Sequence, residues 1–151
     1  MTLAPQNLLQ NIRSQETVFS DTELREAWAN SLGKHLQLLL FDDQYHAVPE
    51  ALWLQLIQAT HTRDLTYIHS FFDCNSFADC LKGLVKAHYG VNGIGFVADF
   101  SGKHAFNVVL VASDDPKQPT ASFRFVEPQR DGWIKPQSKP CYDLAQGMVI
   151  F

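Results

Sequence analysis

The hydrophobic pattern of this chain changes period near its middle. In the first half, apolar residues recur at helical spacing. In "ALWLQLIQAT", Leu52, Trp53, Leu56 and Ile57 fall on one helical face, and this stripe reads as core. Pro49 just ahead suits a first helical position. Upstream, "SDTELREAWANSLGKH" opens with Ser20 and carries Glu23 three residues on. In that pairing each side chain caps the other's backbone N–H, so a helix is predicted to start there. "LQLLLF" (36–41) is too short to separate a buried strand from the end of that helix. Cys74, Phe77, Ala78, Leu81, Leu84 and Val85 follow the spacing of one face, predicting a helix capped by Asp73 and running to about His88. The glycines of "GVNGIG" stop it.

Beyond that point the pattern is that of strands. "IGFVADF" (94–100), "HAFNVVLVA" (104–112), "SFRFVE" (122–127) and "GMVIF" (147–151) fit, with "SGK" as a short turn and "SDDPKQPT" as a polar loop. "PQRDGWIKPQSKP" reads as a Pro-rich surface loop. Trp133, Tyr142 and Phe151 read first as packing across the sheet, and otherwise as facing a partner. Helices first and antiparallel strands after predict an α+β fold. One domain is expected over residues 1–151, with 1–35 as an N-terminal helical extension.

Composition adds exclusions. With 46% hydrophobic and 19% charged residues the chain belongs with folded globular proteins and not disordered ones. Its net charge of −4, without a Lys/Arg run, argues against nucleic acid as a partner. No apolar run approaches the roughly 18 residues of a membrane span, so no membrane partner is expected. "MTLAPQNLLQNIRSQ" lacks the basic segment and long apolar stretch of a secretory leader. Three cysteines without a CxxC argue against a disulfide framework or a zinc site, and place the chain in the reducing cytoplasm.

The candidate chemistry starts at "FDCNSFADCLKG", where Cys74 occupies the first turn of a helix. A thiolate nucleophile gains from the partial positive charge there, and needs a histidine in reach and a third group to orient it. His104 opens a strand and heads the face of Phe106, Val108 and Leu110. If 104–112 and 122–127 pair as a hairpin, His104 falls opposite positions 127 to 129. Glu127 ends the apolar row of Phe123 and Phe125, and its carboxylate could accept the imidazole N–H. His69, five residues before Cys74, could also approach. His35, His46, His61 and His88 read as surface or loop residues. Plain packing also accounts for a cysteine on an apolar face. A metal site from His69, Asp73, Cys74 and His104 lacks any recognised zinc spacing.

Cysteine at a helix start, then histidine at a strand start, then a polar strand end is the order of papain-like cysteine peptidases. "FDCNSFADCLKG", "HAFNVVLV" and "FRFVEPQ" resemble, more specifically, the catalytic domain of the fungal agglutinin from Marasmius oreades and its microbial and phage relatives. The resemblance covers roughly residues 36–135. It implies Cys74 as nucleophile, His104 as base and Glu127 as orienting carboxylate, acting on a peptide or amide through a thioester. Gln129 and Asn107 match family positions without an assigned role. The fungal protein depends on calcium, but Asn75 and Ser76 stand where the family tends to carry acids, so no cofactor is expected. No Gln precedes the cysteine as oxyanion donor, which leaves Tyr67 or His69 with the Cys74 N–H. "DCNSF" is also similar to "DCSGF" of the NlpC/P60 cell-wall peptidases. The missing Gln and acids favour a different outcome, a papain-like binding or structural module without turnover.

Overall fold

The computed structural model describes residues 6–151; residues 1–5, which begin the stretch read for a leader and for the helical extension, lie outside it. In chain order the elements are α1 (Gln6–Gln15), β1 (Thr17–Ser20), α2 (Asp21–Ala29), β2 (Gln37–Leu39), β3 (Gln44–Ala47), α3 (Glu50–Ala59), a 3-10 turn (Thr62–Asp64), α4 (Cys74–Tyr89), β4 (Ile94–Asp99), β5 (His104–Ala112), β6 (Ala121–Glu127), β7 (Gly132–Ile134), a second 3-10 turn (Pro140–Tyr142) and β8 (Gly147–Ile150). The fold is α+β, with the cysteine-bearing helix packed on a mainly antiparallel sheet.

The sheet runs β2-β8-β4-β5-β6-β7. Its neighbours are antiparallel except β2 with β8. From Ala105 to Ala112 every residue of β5 is buried. Val109 and Val111 pack with the α3 stripe, with Leu81 and Val85 of α4, and with Ile12 of α1. Phe106, Val108 and Leu110 face the other way, into Trp28, Tyr45, Phe125 and Phe151. A strand covered on both faces needs a continuous apolar run, which is why "HAFNVVLVA" lacks strict alternation.

Most polar groups in this core are tied down by neighbours, although Asn107 Oδ1 has no hydrogen-bond partner among the described residues. Trp53 donates its indole N–H to the Leu110 carbonyl at 2.8 Å. Asn107 donates to the carbonyls of Ala78 in α4 at 2.9 Å and Gly95 in β4 at 3.2 Å. Asn107 thereby fixes the cysteine helix on the sheet, a role the sequence left unassigned.

Several boundaries differ from the pattern-based expectation. The Ser20–Glu23 capping box forms with both arms. The helix it opens stops at Ala29, because Asn30 and Ser31 turn their side chains back onto the carbonyls of Glu26 and Trp28. "LQLLLF" contains β2, a strand. Residues 1–35 are not wholly helical, since β1 (Thr17–Ser20) pairs with β3. Pro49 sits at the N-cap of α3, one position earlier than expected. Asp73 is the N-cap of α4, but its side chain makes no capping bond. Gly90 ends α4 in the left-handed region at φ 65°. The Pro-rich "loop" holds β7, whose three residues pair with β6 and are too few to show a period. Tyr142 and Phe151 are buried as read.

Trp53 joins the largest buried side chains to the one indole bond on β5. Trp53→Ala is expected to cost about 3–5 kcal/mol, read as a lowered urea midpoint at unchanged slope.

Candidate functional site

Three elements come to one end of the sheet: α4 begins at Cys74, β5 begins at His104 and β6 ends at Glu127. The first α4 hydrogen bond runs from the Phe77 N–H to the Asp73 carbonyl at 3.0 Å. The N–H groups of Cys74, Asn75 and Ser76 precede it and point out of the helix end. Their partial positive charge gathers at the end of the helix that carries Cys74, and no Asp73 side chain is bonded to them. Cys74 is half-buried and free. It opens onto a shallow depression of about 350 Å³, lined also by Asn75, Phe96, Ala98, Asp99, Phe100, Lys103, His104 and Ala105.

His104 places Nε2 2.8 Å from Glu127 Oε2. A carboxylate only accepts, so Nε2 carries the proton and Nδ1 is left as the basic nitrogen. Tyr142 donates its hydroxyl to the same oxygen at 2.9 Å, and the Gln129 backbone N–H approaches Oε1 at 3.4 Å. Burial pushes the Glu127 carboxyl up, but His104, Tyr142 and the Gln129 amide outweigh it and hold it below its ordinary value. Burial, then the bond to Glu127, push the Tyr142 hydroxyl up to about 12. Tyr142 therefore stays a donor at neutral pH. It also receives a hydrogen bond from Arg130 Nη2 at 2.9 Å. Phe106 and Tyr142 flank the imidazole with ring centroids at 5.7 Å each.

Cys74 and His104 come from opposite faces of β5. The helix is clamped to the face that carries Asn107, whereas His104 shares its face with Phe106. They line one depression because it lies at the strand's end. No hydrogen bond joins them among the described residues. Across the ladder His104 faces Asp99, which is buried. Both Asp99 oxygens are taken, Oδ1 by Ser101 and the Gly102 N–H and Oδ2 by the Leu144 N–H, each at 2.9 Å. Asp99 shapes the loop walling the depression and does not orient the imidazole.

The accessory candidates fare differently. Gln129 offers its backbone, not its side chain. Tyr67 is exposed and stacks on Phe77 with centroids 6.5 Å apart. His69 is exposed and bonded to Ser70 at 2.9 Å. Neither lines the depression; Asn75 supplies the amide side chain there. Tyr142 is the residue that sequence reasoning missed as part of the site. The available signal was chemical, since a buried tyrosine hydroxyl needs a partner. Among the described residues no group of three or more His, Cys, Asp or Glu is placed to share a metal. No described helix is long and apolar enough to cross a membrane.

No family model matches the chain, and no curated protein matches it by sequence. Solved structures do. A complex of PSL1a with E64 aligns at TM-score 0.62 and 18% identity, covering 89% of this chain and 51% of that one. The Polyporus squamosus lectin bound to the human-type influenza-binding epitope Neu5Acα2-6Galβ1-4GlcNAc aligns at TM-score 0.60 and 20% identity, covering 89% of this chain and 49% of that one. This chain spans about half the length of the chains it matches. The likeness shows a fold shared with part of a lectin chain. It corrects the sequence resemblance to that coarser level, because these neighbours are named as a lectin and neither as a peptidase nor as the Marasmius oreades agglutinin.

Glu127 has a lowered folded pKa, so its contribution to stability is complete above the ordinary value of 4.5 and is lost as pH falls through the lower folded value. Glu127→Gln should flatten the acid limb of stability against pH in that window, measured by urea midpoints.

Proposed function

We propose that Cys74, His104 and Glu127 form a thiol hydrolase site acting on an amide or peptide. The observation that supports it most is the 2.8 Å bond between His104 and an ionised, buried Glu127 at the depression onto which Cys74 opens. His104 Nδ1 takes the thiol proton as the sulfur attacks the carbonyl carbon. The oxyanion accepts hydrogen bonds from the Cys74 N–H and the Asn75 amide. His104 then gives its proton to the leaving nitrogen, and a thioester remains. Water attacks the thioester carbonyl as Nδ1 takes its proton, releasing the acid and returning the thiol. Apo geometry leaves thiol and imidazole without a mutual bond, so they close across the depression when substrate fills it. A free thiol of this kind suits a reducing compartment such as the cytoplasm, and residues 1–151 would act as one domain.

A second reading is a binding module that keeps the fold without turnover. The comparisons support it more directly, since both neighbours are lectin structures and one holds a sialylated glycan. The absence of a Cys74–His104 hydrogen bond favours it too.

Under the hydrolase reading, iodoacetamide near pH ~6.5 labels Cys74 ahead of Cys80 and Cys141, and His104→Ala slows this about tenfold or more. E64, a thiol-alkylating epoxide and the compound in the PSL1a complex, should add one adduct mass that Cys74→Ala abolishes. A Cys74 that resists both reagents in the folded protein sinks the hydrolase reading. Glycan binding by Cys74→Ala at unchanged affinity would establish the second.

A further inference from the structure

A second depression of about 350 Å³ borders Glu127, and neither Cys74 nor His104 lines it. Its lining includes Arg130, Trp133, Lys135, Ser138, Lys139 and Tyr142. Three of the chain's twelve cations meet there, although the net charge is −4. Of the nine other cations four sit on carboxylates: Arg13 on Glu16, Arg63 on Asp64 and Asp131, Lys86 on Asp42, and Arg124 on Glu50. Among the described residues Arg130, Lys135 and Lys139 have no such carboxylate. Glu127 also borders this depression, but its oxygens are occupied by His104, Tyr142 and the Gln129 amide. Like charges gathered in a concavity raise the local potential and favour a bound counter-charge.

We infer that this depression binds a doubly charged tetrahedral oxyanion, a phosphate or sulfate group, through Arg130, Lys135 and Lys139, and that its occupancy is felt by His104. The guanidinium fork suits such a group and the two ammonium groups add point charges. Trp133 offers an apolar edge to whatever carries the anion. The link to His104 is a chain of hydrogen bonds. Arg130 donates to Tyr142 at 2.9 Å, Tyr142 to Glu127 at 2.9 Å, and His104 to the same Glu127 oxygen at 2.8 Å. An anion on Arg130 withdraws positive charge from that chain. The imidazolium at His104 is then favoured, while Lys103 and the oxygens of Asp99, already saturated, keep their places around the ring. The binding does not depend on Cys74; its bearing on turnover rests on the hydrolase reading.

The test is NMR on the full chain with inorganic sulfate, which keeps its charge throughout a histidine titration. At fixed ionic strength set with chloride, the amides of Gly132 to Lys139 and the Trp133 indole should shift saturably with sulfate. Lys135→Ala with Lys139→Ala should weaken that binding about tenfold or more, a loss of about 1.4 kcal/mol. With sulfate bound, the His104 pKa should rise by about 0.3 to 1 unit, as expected for a charge on the order of 10 Å away. Arms with inorganic phosphate and with phenyl phosphate separate the sources. Tighter binding of phenyl phosphate assigns the site to an ester, and equal binding assigns it to the free ion. Shifts that chloride reproduces, or saturation that the double variant leaves unchanged, overturn the site. Saturable binding with an unmoved His104 pKa overturns the link. None of these readings uses Cys74, so they stand apart from the alkylation result.

Discussion

The burial of β5 on both faces is the constraint on which the rest of this structure depends. A strand with no face toward water must find every polar partner inside the protein. Its first six residues do so against β4, which gives out at Ile94 opposite Val109. Beyond that point other segments complete the work. Leu110 donates its N–H to the Gly93 carbonyl at 2.7 Å and accepts from the Trp53 indole at 2.8 Å. Ala112 donates to the Val48 carbonyl at 3.1 Å. Thus α3 and the segment before it are held by the polar needs of a single strand as well as by apolar contact. The same requirement explains Asn107, whose amide spends both protons locking α4 to the sheet.

At the open end of β5 the logic reverses. There burial is incomplete, and the strand spends its first residue on chemistry. Glu127 is as buried as a core side chain, yet it is charged. It tolerates this because hydrogen bonds from an imidazole, a phenol and a backbone amide replace the water it has lost. Such an arrangement fixes the tautomer of His104 without any conformational adjustment. It also makes the site sensitive to whatever Arg130 touches, since Arg130 stands one hydrogen bond behind the phenol.

Much of this was legible in the residues. The apolar stripes of α3 and α4 are long enough to fix their period, and the Ser20–Glu23 pair marks a helix start by chemistry that acts within one turn. The ladder of β5 and β6, with Val108 facing Phe125, carries His104 to the end of β6, as the hairpin length implied. What escaped was set by short strands, by local side-chain bonds and by distant contacts. Strands β3 and β7 are too short to show a period. The side chains of Asn30 and Ser31 end α2 in a manner composition does not announce. Tyr142 joins Glu127 from fifteen residues away, through a turn with no repeating signal. Periodicity also placed both Cys74 and His104 on apolar faces without saying that those faces lie on opposite sides of one strand.

The parallel pairing of β2 with β8 carries a consequence for assembly. The last strand in chain order sits between β2 and β4, and among the described residues β2 has no other strand beside it in the sheet. The sheet therefore cannot close in the order in which the chain is made. Its left half must wait, with the apolar Leu38 and Leu39 unpaired, until more than a hundred further residues have emerged and β8 slots between. Contacts of such sequence separation are slow to form, and an unpaired strand edge held open meanwhile invites pairing with other chains. Gln37 at the start of β2, and Asp42 and Asp43 beyond its end, are the kind of residues that keep a waiting edge soluble.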